Sequence, residues 1–154
     1  MVKALFYHLT QHPAEVTARM LLARALQNGW RVTLRGGDAG RLEWLDQALW
    51  LGDNASFLPH GLAGGPHDGD QPILLTTGHD CPNDPACLML LDKAEVDAGE
   101  LAGLERLWVL FDGQDQQALA HARSQWKALT DAGVLAEYWS EESGRWQKKA
   151  QSGA

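Results

Sequence analysis

Residues 2–9 (VKALFYHL), 14–27 (AEVTARMLLARALQ) and 30–34 (WRVTL), punctuated by Pro13 and by Asn28-Gly29, decide the fold of this chain. β-Formers crowd the first stretch, and it stops before a proline. The second places Val16, Met20, Leu21 and Leu22 near helical spacing, and Asn28-Gly29 supplies the residues that best tolerate a left-handed cap. Residues 30–34 alternate as a second strand. Asp38 is then an N-cap for a helix over residues 40–51, whose apolar stripe is Leu42, Leu45, Leu49 and Trp50. A β-α-β-α opening predicts an α/β domain: three-layer and Rossmann-like, with a mostly parallel sheet and helices on both faces.

Working outward, residues 53–71 are loop-like, with the polar cluster GGPHDGDQP after an apolar interruption at Phe57-Leu58-Pro59. A loop of that length in a compact domain usually serves a function. Strands are predicted at 72–77 (PILLTT), 88–91 (LMLL) and 107–111 (LWVLF), and a helix over 114–132 stopped by Gly133. The segment from Glu141 is polar and is predicted to fray. The expected organisation is a single domain over 1–140 followed by a polar tail over 141–154, without internal repeats.

The whole sequence has 154 residues, 45% hydrophobic and 21% charged, which excludes disorder as its main state. Its formal net charge of -7 disfavours a surface built to neutralise a run of DNA phosphates. There is no run of about eighteen apolar residues, and His8, Thr10, Gln11 and Pro13 interrupt the opening before a signal peptide can form, so a soluble cytoplasmic protein is expected. Cys81 and Cys87 do not make a disulfide framework. Seven tryptophans exceed what one core of this size readily absorbs, and some are expected at interfaces.

The first strand-to-helix turn is where a nucleotide reading is tested, and it reads His8-Leu9-Thr10-Gln11-His12, with no glycine to admit a pyrophosphate. The second, Arg35 to Gly40, has glycines but lacks the Lys-Ser/Thr pair of a phosphate loop. Neither is a functional nucleotide loop. His79, Cys81 and Cys87 do not follow the spacing of a common zinc site, and a surface turn is the simpler reading. The six histidines form no pattern with a nucleophile, and there is neither a G-x-S-x-G elbow nor an H-E-x-x-H helix. No catalytic residue, metal or cofactor is therefore expected. The 114–132 helix places Leu119, Arg123, Trp126 and Lys127 on one face. Such a face suits a short acidic peptide with an apolar end, the alternative being a solvated helix whose Trp126 turns to the core.

The pattern D-x-A-L-W at residues 46–50, followed by S-F-x-P-H-x-L-A-G at 56–64, closely resembles the chi subunit family of bacterial DNA polymerase III holoenzyme. The similarity extends over the β-rich start, the Gly29-Trp30-Arg31-Val32 strand entry, the 107–111 strand and the helix end from Arg123 to Gly133. It implies a Rossmann-like domain that is not a nucleotide enzyme, serving as a non-catalytic adaptor of the clamp-loader assembly. Its implied partners are the psi subunit, the acidic C-terminal tail of single-stranded-DNA-binding protein and, in some bacteria, a repair helicase on the psi surface; DNA is reached only indirectly. By position, Trp50 and Phe57 match the psi-binding surface, and Arg123, Trp126 and Lys127 match the residues that contact the acidic tail. Pro59 and Leu62 are expected beside the two aromatic anchors. The chain departs from the resemblance in carrying Leu119 where relatives have a basic residue, Trp126 where a Tyr is common, and a different loop at 64–70. The competing expectation is a nucleotide- or small-molecule-binding enzyme on a similar fold.

Overall fold

The computed structural model describes residues 2–50 and 58–152. In chain order the elements are β1 (Lys3–Leu9), α1 (Ala14–Gln27), β2 (Val32–Gly36), α2 (Ala39–Trp50), β3 (Gly61–Leu62), β4 (Ile73–Thr76), β5 (Cys87–Leu91), β6 (Arg106–Asp112), α3 (Gln116–Asp131), β7 (Leu135–Ser140) and β8 (Gln147–Ser152). They build one eight-stranded sheet in the order β3-β4-β2-β5-β6-β1-β7-β8. Every pairing is parallel except that of β7 with β8. The fold is the expected three-layer, Rossmann-like α/β arrangement.

Parallel strands covered on both faces read as continuous apolar runs, and β4 (ILLT) and β5 (CLMLL) are buried at every position. One core joins Leu21, Leu22 and Ala25 of α1 and Leu42, Leu45 and Leu49 of α2 to Leu34, Leu75 and Met89 of the sheet. The other joins Ala118, Ala122 and Leu129 of α3 to Phe6, Leu88, Val109 and Ala136. The period-two alternation of the strands sends neighbouring side chains into opposite cores, which puts α1 and α2 on one face and α3 on the other.

Helix ends explain most boundary differences from the sequence reading. Gly29 adopts φ +75° and its N–H bonds the Leu26 carbonyl, while the Trp30 N–H bonds the Ala25 carbonyl at 2.9 Å. Trp30 therefore completes the cap of α1, and β2 begins at Val32 rather than at Trp30. The second strand instead runs on through Arg35, a buried charge. Its guanidinium donates to the carbonyls of Gly78, His79 and Glu95 and to both carboxylate oxygens of Glu100, fastening the turn-rich segment after β4. The same cap geometry recurs at Gly133 (φ +88°), where the Val134 N–H bonds the Leu129 carbonyl.

After α3 the chain differs from the expectation. Residues 135–140 (LAEYWS) form β7, which the sequence reading leaves unassigned, and the tail predicted to fray contributes the edge strand β8. Nothing in QKKAQS carries an apolar period; β8 is held by its ladder to β7 and by Lys148, 3.8 Å from Glu137. Lysines on such an edge also discourage pairing with another chain. Part of the predicted loop is ordered too, as β3 and as a 3-10 turn at Asp68–Asp70 whose Asp68 carboxylate accepts from the Gly64 and Gly65 N–H groups.

Candidate functional site

Three surfaces invite a functional reading. The first is α3. Asp115 caps it by accepting from the Gln117 and Ala118 N–H groups, and Ala118, Ala122, Gln125 and Leu129 bury one side of it. That leaves Arg123 and Lys127 exposed, one turn apart. Trp126 lies half-buried between these settings, its ring edge-on to Phe6 at 5.3 Å and to Tyr138 at 6.0 Å. The ring thus leans into the core, and the cations point to solvent. Arg123 makes no ion pair or hydrogen bond among the described residues, whereas Lys127 Nζ donates to Asp131 Oδ2 at 2.9 Å. Leu119, a turn before Arg123, is partly buried against the same core.

Tyr138 joins this surface from β7, a strand that the sequence reading leaves unassigned, so no residue pattern points to it. Its hydroxyl lies 2.9 Å from His8 Nδ1, and His8 Nε2 stands 3.8 Å from Glu142. Burial pushes the Tyr138 phenol above its ordinary range, although the nearby positive charge of Arg123 pulls the other way.

The second surface lies toward the β3 edge. Trp50 ends α2 with 47% of its area exposed, Leu62 of β3 is exposed, and Pro59 is half-buried in the segment leading to β3. Phe57 lies outside the described residues. A residue not singled out from sequence organises this end. His60 is buried beneath Trp50, with ring centroids 4.2 Å apart; its Nδ1 is 2.6 Å from the Leu58 carbonyl, and its Nε2 is 3.0 Å from the Asp46 carbonyl and 3.2 Å from Asp46 Oδ1. The histidine of the P-H pair therefore ties the loop back to α2 and gives Trp50 a floor.

The third is a crevice of about 800 Å³ at the carboxyl ends of β1, β2, β5 and β6. This is where open α/β sheets commonly hold ligands, with helix N-termini aimed at an anion. Here the chain supplies its own anions. Glu141, 2% exposed, takes the N–H groups of Thr10, Gln11 and His12 on Oε1 at 3.0, 2.8 and 2.9 Å, and His12 Nδ1 lies 2.9 Å from its Oε2. Burial alone would push this carboxyl up, but the hydrogen bonds from the His12 ring and from those three N–H groups outweigh it, and the group stays below the ordinary carboxylate range. Asp38 likewise accepts from the Arg41 N–H at the start of α2, and Asp115 caps α3. Trp44, 46% exposed, lines the rim with the Arg41 guanidinium 4.9 Å from its ring centroid.

The zinc-like residues are dispersed. Cys87 is buried in β5, where burial pushes its thiol up to about 12, and Cys81 is a free thiol in the preceding loop. Among the described residues no group of three or more His, Cys, Asp or Glu side chains converges as metal ligands would. No described helix is long and apolar enough to cross a membrane.

The geometry defines a Rossmann-like α/β domain in which Asp38 and Asp115 sit at the starts of α2 and α3 and Glu141 takes the N–H groups of the turn before α1. Residues 1–137 match the family described as DNA polymerase III chi subunit, HolC, and the chain belongs to that family. The family is an accessory subunit of DNA polymerase III and acts in DNA replication. Among curated proteins no match is found.

Proposed function

We propose that this chain is a non-catalytic, cytoplasmic adaptor that bridges the psi subunit of DNA polymerase III and the acidic C-terminal tail of single-stranded-DNA-binding protein, reaching DNA only through those partners. The observation that carries the reading is on α3: Arg123 is exposed, without an ion pair among the described residues, beside the half-buried ring of Trp126. A cation free to take a carboxylate next to a rigid aromatic wall suits a short acidic peptide ending in an apolar residue. Lys127 adds a second charge on the same stripe. The psi partner, or a repair helicase using the same surface, is assigned to Trp50, Phe57, Pro59 and Leu62, because an exposed indole set on a buried His60 is a pre-positioned anchor.

Two sets of variants test the division of labour. Trp50→Ala and Phe57→Ala are expected to abolish pull-down of the psi subunit, leaving the melting temperature within a few degrees and tail-peptide binding unchanged. Arg123→Ala is expected to do the reverse. His60→Ala removes the floor under Trp50 and breaks a buried contact to Asp46, so it should cost about 3 kcal/mol of stability and psi binding as well. Loss of tail binding in the Trp50 variant, or retention of it in the Arg123 variant, would show that the surfaces are wrongly assigned.

A further inference from the structure

Asp131 is the last residue of α3, and its Oδ2 sits 2.9 Å from Lys127 Nζ, with both side chains largely exposed at 64% and 78%. Helix stability does not account for this pair. A carboxylate at a helix C-terminus faces the negative end of the backbone dipole, and Lys preceding an acid by four residues is the weaker of the two orders. The helix end is closed without it, through the Ala132, Gly133 and Val134 N–H groups. What the pair does is remove one of the two cations that the face would otherwise present. Arg123, one turn earlier, has no such partner among the described residues.

We propose that Asp131 is an intramolecular competitor at the α3 face: it occupies Lys127, and an acidic ligand must displace it to engage both cations. This rests on the reading that the α3 face takes an acidic peptide. With the pair closed the face offers one cation unpaired among the described residues, and with the pair open it offers two on one stripe, spaced by a helical turn. A ligand with a single carboxylate meets Arg123 and pays nothing for Asp131. One with several carboxylates must trade its second contact against the bridge, so Asp131 lowers the advantage of highly charged ligands over sparsely charged ones. An exposed pair in this order is weak enough for that exchange to occur readily.

The test is calorimetric titration of the full chain with a short synthetic peptide of aspartates ended by a phenylalanine with a free carboxylate. Wild type, Asp131→Asn, Lys127→Ala, the double variant and Arg123→Ala are compared at two salt concentrations. Asp131→Asn is expected to tighten binding about two- to fivefold, to steepen the loss of affinity with salt, and to melt no earlier than wild type. In the Lys127→Ala background the same change should gain nothing. An unchanged affinity in Asp131→Asn while Arg123→Ala weakens binding would overturn the competitor role and leave the peptide site standing. An equal gain without Lys127 would overturn it too, since Asp131 would then act only as a remote charge. Affinity indifferent to Arg123→Ala would overturn the peptide reading itself, and the inference with it.

Discussion

At the first strand-to-helix turn, three backbone N–H groups and an imidazole close around a carboxylate that the chain supplies itself, whereas on α3 an arginine faces solvent with no carboxylate paired to it among the described residues. Both places have the chemistry to hold an anion. In the turn the anion is Glu141, brought from the end of β7, and it is part of the fold. On α3 the proposed anion is one that a partner brings. On the proposed reading, the contrast separates a Rossmann-like domain that recognises phosphates in its crevice from one that keeps the layering and takes an acidic peptide on α3. The two surfaces proposed for partners also lie apart: α2 and α3 cover opposite faces, and β3 is five strand spacings from β1, roughly 24 Å along the sheet.

The comparison breaks most visibly if Glu141 proves dispensable. Glu141→Ala leaves the Thr10, Gln11 and His12 N–H groups without their acceptor, and a loss on the order of 3 kcal/mol is expected in denaturant unfolding. For a domain of this size that is roughly 6–12 °C in melting temperature. Glu141→Gln keeps an acceptor and should lose less. A wild-type unfolding curve in both variants would mean that the turn holds itself.

A second effect is in the pH dependence. Glu141 has a folded pKa below its ordinary value, so its contribution to stability is fully present above the ordinary carboxylate range and is lost as pH falls through the lower folded value. Glu100 follows the same sign: burial pushes it up, but the Asp97 N–H, Arg35 and His79 together bring it below the ordinary range. The acid limb of the stability curve should therefore flatten in Glu141→Gln, and unchanged steepness would place the titration elsewhere.

Smaller effects are expected on α3, and they should appear in binding rather than in folding. Arg123→Ala should weaken an acidic tail peptide about tenfold, because a charge-assisted contact is lost. Unfolding should stay within about 0.5 kcal/mol of wild type, as for most surface substitutions. Lys127→Ala should weaken binding less, about two- to threefold, since Asp131 already engages that cation. All of these affinities should fall with added salt.

The parts legible in the sequence were those fixed by neighbours in the chain. The α1 boundaries follow from Pro13 and the Asn28-Gly29 cap, and the exposed stripe of Arg123 and Lys127 follows from helical spacing. What was not legible depends on partners far along the chain. Glu141 sits 129 to 131 residues from the groups it binds, so its segment reads as a polar tail. β8 has no apolar period because its order comes from the β7 ladder, and Tyr138 is placed only once β7 is. His60 belongs to the motif at 56–64, but its structural role is not legible there, because its acceptor on Asp46 is brought near only when the loop folds back on α2.

The most direct measurement is amide chemical-shift mapping of the full chain titrated with the acidic C-terminal tail peptide of single-stranded-DNA-binding protein. The expected shifts fall on Arg123, Lys127 and the indole N–H of Trp126, with Thr10, Gln11 and His12 unmoved. Shifts concentrated at Thr10–His12 and around Asp38, with α3 silent, would contradict the account: the crevice would then be the acidic-ligand site.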